Sequence, residues 1–312
     1  MTKVAIVGAG AVGAAIAYAI QIRGVCRQLA LFDLNRDKVN AEVLDLNHGL
    51  QFTPMAQITG GDDLAVVAAA DVIVITAGAK QKPGQTRLDL AGANVAMCRD
   101  LVPRLLALAP DAHLLLITNP VDVVTYAAWR VSGLPKQRVF GSGTVLDSSR
   151  LRFLIAQHTG VAVQNVHAYI AGEHGDSEVP LWSTATIGGV PVSAWTGADG
   201  TPLDGATQNR IHRSVIAAAY EIIAGKGATS LAIGLAVSKI LEAILNDEHR
   251  VLPVTSVLDG VHGLSDVCLS MPAVVGRAGV ERVLETPLSP GELDQLTASA
   301  AAVRAVARDL GL

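Results

Sequence analysis

Gly8-Ala9-Gly10-Ala11-Val12-Gly13 is the stretch on which the fold of this chain turns. It follows an apolar run, 4–7, and opens an Ala-rich segment that reads as a helix over 14–20. Strand, glycine turn and helix in that order form a dinucleotide-binding unit. Gly8 permits the tight turn, and Gly10 lets backbone approach a pyrophosphate. Gly13 lets the helix pack on the strand, and the helix N-terminus, with Val12 in its first turn, faces the phosphates. Asp33 ends the next apolar run, about twenty residues on, where a carboxylate hydrogen-bonds the adenosine ribose and favours NAD over NADP. An ordinary strand-end turn residue is the other reading of Asp33.

Further apolar runs of strand length at 29–32, 72–75, 114–117 and 138–140 alternate with helical stretches. This alternation predicts an α/β fold: a doubly wound parallel sheet of Rossmann type over 1–142, followed by an α+β substrate-binding domain over 143–312. Thr76-Ala77-Gly78 and Thr118-Asn119-Pro120 follow two of the strands, at the ends where such sheets hold ligands. In the second half, helical stretches near 205–224 and 229–245 precede strand-like 251–256 and 266–275. Ser289-Pro290-Gly291-Glu292 is a capping box before an amphipathic tail, 293–310, expected to face the core.

Composition narrows the function. A net charge of −4 gives no electrostatic case for nucleic acid or an anionic membrane, so an anionic ligand needs local arginines. Cys26, Cys98 and Cys268 are scattered and odd in number, which fits reduced thiols in a cytoplasmic protein and neither a disulfide frame nor a zinc site. The uncharged run 4–20 is also compatible with a targeting segment. Its glycines and the following strand pattern favour the nucleotide-binding unit.

Gly172-Glu173-His174-Gly175-Asp176-Ser177-Glu178 carries the chemistry. An imidazole both gives and takes a proton near neutrality, and the flanking glycines admit a substrate. A solvated loop has the same composition. Asp147 and Arg150, three apart, share a helix face. Alone they read as a surface ion pair. With His174 they form a carboxylate that orients the imidazolium and a guanidinium that grips an anion at two points. Lys80-Gln81-Lys82-Pro83-Gly84-Gln85-Thr86-Arg87 reads as a loop able to close over substrate, or as a solvated basic loop.

Taken together, GAGAVG with Asp33, the segment 76–90, TNPVDV at 118–123, GSGTVLDSSRLR at 141–152, GEHGDSE and GKGATSLAIG at 225–234 resemble the L-lactate/L-malate dehydrogenase family over essentially the whole chain, in particular its bacterial lactate branch. The resemblance implies hydride transfer between NAD(H) and a 2-oxo acid, pyruvate giving L-lactate. His174 is then the proton donor and acceptor, Asp147 its partner and Arg87 the group that polarises the reacting carbonyl. Arg150 takes the substrate carboxylate, and Asn119 and Thr229 line the substrate pocket. Gly8, Gly10, Val12, Gly13, Asp33, Thr76, Ala77, Gly78, Asn119, Ser142 and Ile233 hold the cofactor, with Ser142 and Ile233 against the nicotinamide. No metal is implied.

Gln81 matches the position that faces the substrate's side chain, where malate enzymes carry arginine. A second carboxylate there would be shut in a dry pocket without a counter-charge, so pyruvate is expected over oxaloacetate. Lys80 and Lys82 flank Gln81, and either can turn inward. Gln85 stands where relatives carry glutamate, and Ala228 and Leu231 stand where many carry aromatics, which keeps bulkier 2-oxo acids open.

Arg152 lies about 200° round a helix from Arg150 and so points away from the reaction centre. Resemblance to bacterial relatives implies that Arg152 and His167 bind fructose 1,6-bisphosphate at a subunit interface; a surface arginine and a strand histidine is the equal alternative. With the glycine motif starting at residue 8, no N-terminal arm like that of vertebrate relatives is expected. A homotetramer is implied by analogy. Competing readings are a malate dehydrogenase, a branched-chain 2-hydroxy-acid dehydrogenase, a silent NAD-binding protein and a metallohydrolase built on Glu173, His174 and Asp176.

Overall fold

Val4 and Ile6 point to one side of the first strand, Ala5 and Val7 to the other, and all four are shut off from water. A strand covered on both faces has no polar side, which is why its sequence reads as one apolar run. The structure is a computed structural model that describes residues 2–79 and 87–312, apart from the side chains of Arg87 and Leu88. Gln81, Gln85, Lys80 and Lys82 therefore lie outside the described residues, as does the side chain of Arg87.

The first half runs β1 (Lys3–Val7), α1 (Ala11–Arg23), β2 (Gln28–Phe32), α2 (Arg36–His48), β3 (Gln57–Gly61), β4 (Val72–Ile75), α3 (Arg87–Leu108), β5 (His113–Leu116), α4 (Val121–Ser132) and β6 (Val139–Gly141). These strands pair in parallel in the order β3-β2-β1-β4-β5-β6. The order reverses between β1 and β4, and the crevice beyond their carboxyl ends is where such sheets bind ligands. Each expected strand is present within a residue or two, and the first helix extends to both sides of 14–20.

β3 went unread in the sequence. It is an edge strand in which Ile58 alone is buried, so the alternation that marks a strand is missing. Gly60 makes its close packing feasible: a Cβ there would lie 2.7 Å from both the Leu31 carbonyl oxygen and a Val43 methyl.

The second half runs α5 (Val145–Thr159), β7 (Val166–His167), β8 (Ile170–Gly172), β9 (Glu178–Pro180), β10 (Thr186–Ile187), β11 (Val190–Pro191), α6 (Gly205–Lys226), α7 (Leu231–Leu245), β12 (Arg250–Val261), β13 (Leu264–Gly276), β14 (Gly279–Val283) and α8 (Pro290–Asp309). The expected strands at 251–256 and 266–275 are the middles of a longer hairpin, β12–β13. Its turn places His262 at φ 49° and Gly263 at φ 75°, the left-handed pair that suits the twist of a two-residue hairpin loop. Ser289 and Glu292 make the reciprocal capping bonds that start α8, and Leu296, Ala300 and Val303 turn inward from it.

The two halves share one frame. β12 pairs antiparallel with β6 through Thr255 and Gly141, so the sheet continues past the cofactor half through β13, β8 and β9. The core under Val4 and Ile6 includes Val237, Ile240, Leu241 and Ile244 of α7, together with Val254 and Ala273 of the hairpin. Helix α7 approaches α1 closely because residue 234 is glycine; a Cβ there would sit 2.7 Å from the Ala15 carbonyl oxygen. Among the described residues, no helix is long and apolar enough to cross a membrane.

Candidate active site

Gly8 follows β1 with φ +109°, a conformation that glycine adopts without strain. A Cβ on Gly13 would fall 1.9 Å from the Gly8 carbonyl oxygen, so the turn and helix fit together only with glycine at 13. Gly10 differs: among the described residues nothing lies within 4 Å of a Cβ built there, at the start of α1. Among the described residues no side chain caps that helix end, so its first amide groups are left for a ligand. Asp33 Oδ2 accepts from the Ala9 amide at 2.8 Å, which holds the carboxylate at the rim of the same turn. An open glycine, an uncapped helix N-terminus and an adjacent carboxylate fit the pyrophosphate and ribose of NAD.

The neighbouring strand ends complete this crevice. Thr76 donates to the Gly8 carbonyl at 2.8 Å, tying β4 to the glycine turn. Thr118 donates to the Ala77 carbonyl at 2.6 Å. Gly78 leaves no room for a side chain, since a Cβ would meet a Thr118 methyl at 2.5 Å. Asn94, fully buried, accepts from the Ala79 amide and donates to the Asn119 carbonyl, each at 2.7 Å. It thereby fixes two of the expected ligand-facing segments against each other, a role the sequence did not reveal. The Asn119–Pro120 peptide is cis. Ser142 is buried just after β6, Ile233 is half-buried in the first turn of α7, and Thr229 lies in the bend before that helix.

His174 lies in the turn between β8 and β9. Its Nδ1 is 2.6 Å from Asp147 Oδ2, and Arg150 donates to the other oxygen of Asp147, also at 2.6 Å. Both partners come from the first two turns of α5, where positions three apart share a face. A carboxylate accepts only, so Nδ1 carries the proton of its hydrogen bond and Nε2 is left for chemistry. Burial disfavours a charged imidazole, but Asp147, with help from Asp122 and Glu178, outweighs it and raises the His174 pKa to about 9. Burial likewise disfavours the Asp147 carboxylate, yet His174 and Arg150 hold its pKa below the ordinary value. The pair is therefore imidazolium and carboxylate at neutral pH, one proton ready to be given.

His174, Asp147, Arg150 and Asn119 line one cleft of about 270 Å³, walled by Val215, Ile216, Ala219 and Ile223 of α6. A larger hollow of about 390 Å³ lies at the opposite ends of the strands, beside Thr2, Asp71 and Arg277, and contains none of the expected site residues. Glu173, His174 and Asp176 do not converge as metal ligands: Ser177 donates to Glu173, Asp147 takes His174, and Tyr220 donates to Asp176 at 2.8 Å. Arg152 is outside the cleft, donating to the Ala168 carbonyl at 2.8 Å with its guanidinium 4.7 Å above the Tyr169 ring. His167 is exposed on β7.

Asp122 was missed in the sequence. It is 2% exposed at the start of α4, and its Oδ2 accepts from the His174 backbone amide at 2.8 Å while Oδ1 accepts from Thr255 at 2.6 Å. Burial pushes its pKa up to about 6, against the pull of those two hydrogen bonds. The signal available was an aspartate at the head of an otherwise apolar segment, Val121-Asp122-Val123-Val124, in the second position of a helix, where it reads as a favourable first-turn acid.

Known proteins match this arrangement along the whole chain. The NAD-binding domain model of lactate/malate dehydrogenases matches residues 2–141, and that family's α/β C-terminal domain model matches 144–309. An L-lactate dehydrogenase of Bifidobacterium animalis subsp. lactis is 56% identical over 99% of this chain and 97% of its own length. One from Gloeobacter violaceus is 49% identical over 97% of this chain and 92% of its own. The crystal structure of a lactate dehydrogenase from a Medee basin deep-sea metagenome library superposes with a TM-score of 0.94, at 39% identity, covering 100% of this chain and 99% of that one. With a cofactor turn, a histidine–carboxylate–arginine cluster and this full-length likeness, the chain belongs to the lactate/malate dehydrogenase family and is an NAD-dependent 2-hydroxy-acid dehydrogenase.

Proposed function

We propose that the chain is an L-lactate dehydrogenase that interconverts pyruvate and L-lactate. The observation that carries this reading is the Arg150–Asp147–His174 cluster, joined by two 2.6 Å bonds and opening on an apolar-walled cleft. Bound NAD(H) supplies or accepts the hydride. His174 gives its Nε2 proton to the oxygen that becomes the hydroxyl and takes it back in the reverse direction. Asp147 fixes the tautomer and stabilises the imidazolium. Its bond takes one of the five N–H donors of Arg150 and leaves others for the substrate carboxylate. Arg87, at the start of α3, polarises the carbonyl, and Gln81 offers no counter-charge to a second carboxylate. Asn119 and Thr229 line the pocket, while Ser142 and Ile233 flank the nicotinamide. The curated relatives' shared name supports pyruvate as the substrate.

In this reading fructose 1,6-bisphosphate activates through Arg152 and His167, which sit on adjacent elements away from the cleft. The protein works as a homotetramer, supported by exposed apolar side chains on the neighbouring helices α1 (Tyr18, Ile22) and α7 (Leu231, Leu235). Its place is the cytoplasm, which fits three buried free cysteines.

The test is NADH oxidation with pyruvate and with oxaloacetate, each with and without fructose bisphosphate. Strong pyruvate preference supports the reading. Oxaloacetate preference overturns the Gln81 argument, and turnover of bulkier 2-oxo acids alone makes the enzyme a branched-chain hydroxy-acid dehydrogenase. An unchanged pyruvate KM with the bisphosphate removes Arg152 and His167 from regulation.

A further inference from the structure

One stripe of α6 faces the cleft: Val215, Ile216, Ala219 and Ile223, spaced so that they fall on a single helix face. His212, three and four residues before the first two, heads that stripe. It reaches Glu178, the last residue of the GEHGDSE segment, with Nε2 3.4 Å from Oε1. Glu178 is 6% exposed and lines the same cleft as His174 and Arg150. Neither Glu178 Oε1 nor His212 Nε2 has a well-aligned hydrogen bond to anything else among the described residues. The two atoms are buried, polar and turned to each other.

A carboxylate buried here is an electrostatic problem. The cleft must accept the anionic end of a substrate at Arg150, and a bare negative charge on its wall opposes that. Among the described residues, the other charged groups around the cleft are Asp147 and Arg150 of α5, His174 and Glu173 of the turn, and Asp176, with Asp122 behind. Asp147 is matched by His174 and Arg150. Among the described residues, Glu178 has no such match apart from His212.

Accepting a 2-oxo acid as the substrate, we infer that His212 is a positioning residue: from α6 it partners the buried Glu178 carboxyl group and keeps the cleft open to an anionic substrate. Removing His212 leaves Glu178 without its partner on the cleft wall, so substrate binding suffers more than the chemical step. With Glu178 already replaced, losing His212 costs little.

The experiment compares wild type with His212→Gln, His212→Lys, Glu178→Gln and the double variant Glu178→Gln/His212→Gln, measuring pyruvate KM, kcat and NADH affinity. His212→Gln should raise KM about tenfold while kcat stays within about threefold and NADH affinity holds. His212→Lys should recover most of the loss, and adding His212→Gln to Glu178→Gln should raise KM far less than it does in the wild-type background. An unchanged KM in His212→Gln overturns the proposal. So does an equal KM penalty in the Glu178→Gln background, or a loss shared by KM, kcat and NADH affinity, since each marks a purely structural histidine. Failure of the wild type to turn over pyruvate or any other 2-oxo acid overturns the functional reading instead, and is distinguished by NADH binding without turnover.

Discussion

Asp122 grips the backbone of His174, not its ring: the 2.8 Å bond runs from the His174 amide to Oδ2, and Thr255 holds the other oxygen. The imidazole is thus placed from two sides, its ring by Asp147 and its main chain by Asp122. Asp122→Asn keeps the shape but must turn an amide N–H₂ towards a donor on one side. We expect kcat to fall at least about tenfold, with NADH affinity within about twofold of wild type. Stopped-flow turnover and NADH fluorescence titration measure the two, and an unchanged kcat would remove Asp122 from the positioning of His174.

The raised pKa of His174 sets a direction with pH. Below about 9 the substrate-free enzyme carries the imidazolium needed to reduce a 2-oxo acid. Affinity for oxamate, the amide isostere of pyruvate, should hold through neutral pH and fall about tenfold per unit above that value. Folding follows the same proton. The folded chain keeps it where the unfolded one has lost it, so this stabilisation is complete below the ordinary histidine value of about 6.5 and disappears as pH climbs to about 9. Calorimetric oxamate titrations over that range check the first claim, and flat affinity through it would refute the assignment. Asp122 contributes in the same sense lower down: between its ordinary value and about 6 the folded state retains a proton, so stability falls as pH rises there.

His174→Asn should cut turnover by about a thousandfold or more and leave NADH binding nearly intact. Loss of cofactor affinity would refute this division of labour between the glycine crevice and the proton site.

Gly10 and Gly13 should fail differently. Space is open around Gly10, so Gly10→Ala should fold with a near-normal melting temperature and lose NADH affinity about tenfold or more. Gly13→Ala drives a methyl group into the Gly8 carbonyl and should destabilise the protein by about 2 kcal/mol or more. Thermal melts beside NADH titrations separate the cases; equal behaviour would contradict the packing described.

Gln81→Arg should swing preference towards oxaloacetate by at least about tenfold, because the added guanidinium pairs with the second carboxylate. An unchanged ratio of kcat/KM values would mean that Gln81 does not face the substrate.

Much of this was legible in the chain because local chemistry and tertiary role coincide. Gly8, Gly13 and the strand before them admit few other structures, and Asp147 and Arg150 announce a shared face by their spacing. Asn94, Asp122, Thr255 and Glu178 were not assigned roles, for a different reason. Each is a polar residue whose partner is remote in sequence, so nothing local distinguishes it from a cap or a strand residue. The edge strand β3 escaped because half its definition lies in β2, against which its glycines pack.

The joint between β6 and β12 has a consequence for how this enzyme comes into being. Asp122 belongs to the first half of the chain, His174, Thr255 and Ser270 to the second, and their hydrogen bonds close on either side of the Gly141–Thr255 pairing. During synthesis the cofactor half emerges first, still lacking the α7 side chains that cover Val4 and Ile6. The site is thus complete only when both halves, through β13 and the Ser299 of α8 that holds the Glu173 amide, are folded together. Recovered activity in a refolding experiment therefore reports the whole molecule, whereas recovered far-UV signal reports only its parts.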